Sequence, residues 1–117
     1  MKVYCFMVSV IEDLEEQGRY STAHVYRCAI MAALQFGGFE LCLDAVTPVW
    51  LSAYQEHLLA RNLLWNTIST YMRMLRALYN KAVDVGLAAH IPRHFKHVFT
   101  GRQRNHQRVL ERLEMLR

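Results

Sequence analysis

Between Asn66 and Ala82 the chain reads N-T-I-S-T-Y-M-R-M-L-R-A-L-Y-N-K-A, a run whose apolar residues dictate a helix with one buried side. Ile68, Tyr71, Met72, Leu75, Leu78, Tyr79 and Ala82 recur at helical spacing and form a single stripe. Asn66, Thr70, Arg73 and Asn80 fall roughly opposite, with Ser69 and Arg76 along one margin. A solvated helix face normally mixes acids with bases, yet here the first acid is Asp84. Cations interleaved with short amide and hydroxyl side chains suit phosphates and base edges in a groove.

The rest of the chain is consistent with a small helical domain. Five Gly and two Pro in 117 residues leave little punctuation, which favours a few long elements over many short strands. With 53% hydrophobic and 21% charged residues the chain is globular, and its length suits one domain with a modest core. The formal net charge of +4 is unevenly spread. Residues 1–18 hold Lys2 against Glu12, Asp13, Glu15 and Glu16, whereas His90 to Arg108 hold five bases, four histidines and no acid. Such a field draws a polyanion to the later part of the chain and repels it from the first helix.

Cys5, Cys28 and Cys42 are odd in number and form no C-x-x-C pair, so a disulfide framework is not expected and a cytoplasmic location is. Lys2 and the apolar run Val3 to Ile11 lead straight into acids without a small-residue cleavage site. They are expected to be the first turns of a helix rather than a leader or a membrane span.

Four helices are expected. In the first, Val3, Phe6, Met7, Val10, Ile11 and Leu14 face inward and Gly18 supplies the stop. Ser21 or Thr22 would cap the second, with Val25, Ala29, Ala32, Ala33 and Phe36 inward, His24, Arg27, Met31 and Gln35 outward, and Gly37-Gly38 ending it. Thr47-Pro48 opens the third, a hydroxyl cap followed by proline at the first helical position; Trp50, Leu51, Tyr54 and Leu58 face inward and Asn62 ends it. Asn66 would cap the fourth and Gly86 close it. From Arg93 to Gln107 the chain reads as a basic linker anchored by Phe95, Val98 and Phe99. Beyond it, Arg104, Arg108 and Arg112 recur beside a seam of Val109, Leu113 and Leu116, a short fifth helix. That seam could be plain linker, an interdomain contact or a dimerising surface. The fold class is all-α, a compact four-helix orthogonal or bundled domain over 1–101, with a linker over 102–117.

The order Gly18-Arg19-Tyr20-Ser21-Thr22-Ala23, Tyr26-Arg27, Val46-Thr47-Pro48, Asn66-Thr67-Ile68-Ser69, Tyr71, Arg73, Leu75-Arg76, Tyr79-Asn80 and Ala82 resembles a known domain. It is similar to the SAM-like, core-binding domain near the N-terminus of tyrosine recombinases (phage-type integrases), most like those of Bacteroides-type mobile elements. The likeness extends from residue 3 to Phe95 and Phe99-Thr100-Gly101. It implies a four-helix domain forming half of a C-shaped clamp on a recombination site. A separate C-terminal domain would do the chemistry, in which a tyrosine attacks the scissile phosphate and an arginine–histidine constellation stabilises the charge, without metal or cofactor. The chain ends about where that domain would start, so no catalytic residues are expected in it.

By the same resemblance helices two and four face DNA. The residues it assigns are Arg19, Tyr20, Thr22, His24 and Arg27 on the second, and Asn66, Thr67, Ser69, Thr70, Arg73, Arg76 and Asn80 on the fourth. The partners implied are double-stranded DNA, the catalytic domain of the same parent chain and other recombinase protomers, with no membrane and no small-molecule substrate. His24 to Arg27 and His90 to Arg93 match H-x-x-R, a recombinase signature, outside its domain context, and neither is assigned to catalysis. His90, His94 and His97 are interrupted by Pro92 and lack an acid or cysteine to complete a metal site. A helical protein–protein adaptor and an unrelated helix-turn-helix regulator are the alternatives.

Overall fold

The structure is a computed structural model that describes residues 1–101. Four helices make up the described part: α1 (Val3–Glu16), α2 (Tyr20–Gly37), α3 (Pro48–Ala60) and α4 (Trp65–Asp84). A single 3-10 turn, Leu43–Ala45, precedes α3. The only strand-like feature among the described residues is an isolated antiparallel bridge between Lys2 and Cys42. The all-α, four-helix expectation holds; the fifth helix expected after Arg104 lies outside the described residues.

Three of the helices stop in the same way. After α1 the Gly18 N–H donates to the Glu15 carbonyl and the Arg19 N–H to the Leu14 carbonyl (3.0 and 2.9 Å). After α3 Asn62 and Leu63 bond back to Leu59 and Leu58, and after α4 Gly86 and Leu87 bond to Val83 and Ala82. Each is a Schellman motif, which places the residue after the last helical turn in the left-handed region. Gly18, Asn62 and Gly86 occupy those positions with φ of 76°, 62° and 79°. Glycine and asparagine tolerate that backbone, so the sequence signals and the observed ends coincide.

The helix starts agree less well. Thr47 caps α3 as expected, its Oγ1 accepting from the Trp50 N–H at 3.1 Å. Ser21 and Thr22 do not cap α2: the helix begins at Tyr20 with Arg19 as N-cap. The tight turn closing α1 leaves Gln17 to Arg19 as the whole connection, so α2 starts before either hydroxyl is reached. Asn66 does not cap α4, which begins at Trp65 with Leu64 in the cap position and no side-chain cap bond. Trp65 packs edge-on against Phe99, ring centroids 5.3 Å apart, which holds this residue in the first turn.

The core forms where the stripes converge. All six expected residues of α1 are buried, and in α4 Ile68, Met72, Leu75, Leu78, Tyr79 and Ala82 are buried while Tyr71 is half-buried. The expected stripe of α2 is met in part: Ala29 and Ala33 are buried, and Ala32 and Phe36 are half-buried. Ala23, Tyr26, Ile30 and Leu34 are buried as well, whereas Val25 is exposed. α2 packs against both α1 and α4, and its alanines occupy the buried side where neighbouring backbones approach. On α3, Leu51, Tyr54 and Leu58 are buried and Trp50 is half-buried, within an aromatic cluster with Phe36 and His57.

The segment expected to be linker from Arg93 is, as far as Gly101, a packed strap. Phe95 and Val98 are buried, the Phe99 N–H donates to Gln55 Oε1 at 2.7 Å, and Tyr79 OH donates to the Ala89 carbonyl at 2.7 Å. His94 is buried, its Nε2 bonded to the Val46 carbonyl and its ring edge-on to Tyr79 at 4.3 Å. The packing of His94, Phe95 and Phe99 outweighed the basic composition on which the linker reading rested.

Candidate nucleic-acid interface

On α4, Asn66, Thr70, Arg73 and Asn80 follow one another at four-, three- and seven-residue steps and so share one outward row. At 1.5 Å of rise per residue the row spans roughly 21 Å. Asn66 and Asn80 are exposed, while Thr70 and Arg73 are half-buried. Thr70 Oγ1 donates to the Asn66 carbonyl at 2.9 Å, a bond back along the helix that orients the hydroxyl. Arg76 is exposed on the adjoining margin, and its Nη1 donates to Thr100 Oγ1 at 3.3 Å, tying the guanidinium to the strap. Thr67 is half-buried.

Ser69 is a correction. It was expected among the DNA-facing residues, but it is buried at 2% exposure and its hydroxyl donates to the Gly101 carbonyl at 2.6 Å. The strap passes over the margin of α4 on which Ser69 lies, so the hydroxyl fastens the chain and is withdrawn from any ligand.

The α2 residues are arranged differently. Tyr20, His24 and Arg27 are exposed and share one row at steps of four and three, while Thr22 is half-buried and off that row. The His24 ring lies 3.5 Å from Cys28 Sγ. Arg27 lines a cavity of about 390 Å³ together with Glu12 and Glu15 of α1. Arg19 lines another, of about 530 Å³, with Asp13 and Asp84. Both guanidinium groups, Arg19 at the N-cap and Arg27 within α2, therefore stand in fields softened by carboxylates, although the one ion pair among the described residues is Lys2–Glu40 at 2.7 Å.

The surface between α4 and the strap has the opposite character. Arg76, Asn80, His90, Arg93, Lys96 and Thr100 line an open groove of about 390 Å³ that has no carboxylate among its described lining residues. His90, Arg93 and Lys96 lie outside the residue set expected from sequence. The acid-free run from His90 to Arg108 was the available signal, but only folding shows that its described part, as far as Thr100, lies alongside Arg76 and Asn80. His94 lines the same groove from a buried position, and burial pushes its pKa below the usual imidazole value. The site thus combines fixed guanidinium and ammonium charge with amide and hydroxyl groups, a chemistry that binds anions without a metal.

No helix among the described residues is long and apolar enough to cross a membrane. No curated protein and no solved structure matches the chain. Residues 2–98 match the model of the family described as phage integrase SAM-like domain, a span that includes all four helices and most of the strap. The chain belongs to the phage integrase SAM-like domain family.

Proposed function

We propose that this domain binds duplex DNA as the core-binding part of a tyrosine recombinase, positioning the protein on its recombination site for DNA integration. The observation that carries the reading is the continuous polar and cationic surface formed by the α4 row and the adjoining groove, which has no carboxylate among its described lining residues. Family membership supports it. Arg73 and Arg76 contact phosphates or guanine edges, for which a guanidinium fork is suited. Asn66, Thr67, Thr70 and Asn80 supply shorter contacts that fix register and a partial sequence preference. On α2, Tyr20, Thr22 and His24 contribute at the flank, with Arg19 and Arg27 weaker because acids lie near them.

In this reading the strand chemistry belongs to a catalytic domain elsewhere in the parent protein, and other recombinase protomers are partners. The working location is the cytoplasm. The domain itself needs no cofactor, since its contribution is placement rather than bond making.

The test is duplex binding followed by fluorescence anisotropy across a salt series. Each neutralised phosphate contributes about 0.9 to the slope of log K against log salt. Replacing Arg73 and Arg76 together by Ala is expected to weaken binding and flatten the slope by about 1–2, with helicity unchanged by circular dichroism. Unchanged binding by that variant counts against the α4 face.

A further inference from the structure

We propose that the groove between α4 and the strap, lined by Arg76, Asn80, His90, Arg93, Lys96 and Thr100, seats backbone phosphates of the duplex as a second site beside the α4 row. The inference rests on the DNA-binding reading above and adds a site on a segment outside the helices.

The first support is electrostatic. Two guanidinium groups and one ammonium converge on one groove from separate elements, with no carboxylate among the described lining residues. Like charges gathered this way repel one another in the free protein, and an anion placed between them removes that penalty. The hydroxyl of Thr100 and the amide of Asn80 complete a set suited to phosphate oxygens.

A second, independent support lies in the backbone. Arg93 has φ of 57°, in the left-handed region, immediately after Pro92. A proline followed by a left-handed residue is the pattern of a type II turn, which normally takes glycine or asparagine at that second position. Arginine gains nothing locally from this conformation. Its neighbours hold it there: His94 is bonded to the Val46 carbonyl, Phe95 is buried, and the Lys96 N–H donates to the Arg93 carbonyl at 3.1 Å. Strain of this kind persists where the side chain has a use. The turn points an exposed guanidinium and, three residues on, an exposed ammonium along one lip of the groove.

The occupant is a phosphate chain rather than an acidic peptide because the groove runs onto the α4 row. Asn80 belongs to both and Arg76 borders the row, so a backbone entering at the strap continues along a helix whose length suits several nucleotides. A single free phosphate would use only one end of this track.

The decisive variant is Arg93→Gly combined with Lys96→Ala in the whole 117-residue chain. Glycine relieves the strained φ, so the melting temperature is expected to stay level or rise. The salt slope for duplex binding is expected to fall by about 2, one per lost phosphate contact, while Arg93→Lys keeps the wild-type slope. Lys96→Ala alone should lower the slope by about 1. A wild-type slope in the double variant, with the Arg73→Ala/Arg76→Ala protein still impaired, overturns the groove and leaves the DNA reading standing. Absence of duplex binding by the unaltered chain at low salt overturns both. A fall in melting temperature with an unchanged slope makes Arg93 structural and also overturns the groove. Displacement of DNA by polyglutamate as effective as by unrelated duplex, and equally dependent on Arg93, would assign the groove to an acidic protein instead.

Discussion

His94 shows how one residue can read differently alone and in place. In the sequence it belongs to a basic, histidine-rich run; in the structure it is buried, bonded to the Val46 carbonyl and packed on Tyr79. Burial lowers its pKa from the ordinary 6.5, opposed by the bond to Val46, while nearby His90 lowers it further. A base with a depressed folded pKa binds fewer protons folded than unfolded. The domain should therefore keep its full stability above about pH 6.5, and lose stability as pH falls below this value toward the folded pKa. Thermal melts at stepped pH should show this loss, and His94→Gln should make the dependence shallower. Ser69 carries the matching lesson. Its position on the margin of α4 was legible, but only the path of the strap shows that its hydroxyl is spent on Gly101.

At the level of elements, helix ends were far more legible than helix starts. A C-terminal stop depends on the left-handed tolerance of one residue, which is a local property, and Gly18, Asn62 and Gly86 all deliver it. Replacing Gly86 by Ala should lower stability by about 1–2 kcal/mol, since a Cβ disfavours that backbone although the space around it is open. Chemical denaturation measures this, and Asn62→Gly should be neutral or slightly stabilising in the same assay. A start can instead be imposed from outside: α2 begins at Tyr20 because α1 ends so tightly, and α4 begins at Trp65 beside Phe99. The stripe of α2 was only partly legible for a related reason. Apolar residues surround much of that helix, so neighbouring helices select which of them become core.

Across the whole molecule, charge is partitioned: α1 carries acids outward, and the α4–strap surface carries bases without them. Glu12 and Glu16 are exposed and absent from the lining of the cationic groove. Reversing both to Lys should leave duplex affinity unchanged or slightly raised through longer-range attraction. A clear loss of affinity in the same anisotropy assay would place α1 at the interface. The helical class, the α1 and α4 stripes, the cation-bearing row and the helix stops were determined by sequence alone, because each depends on spacing within one element or on the φ tolerance of a single residue. The starts of α2 and α4, the buried side of α2, the withdrawal of Ser69 and the pairing of the strap with α4 were decided by tertiary structure. Each of these depends on which surfaces exclude water together, a property shared between segments far apart in the chain.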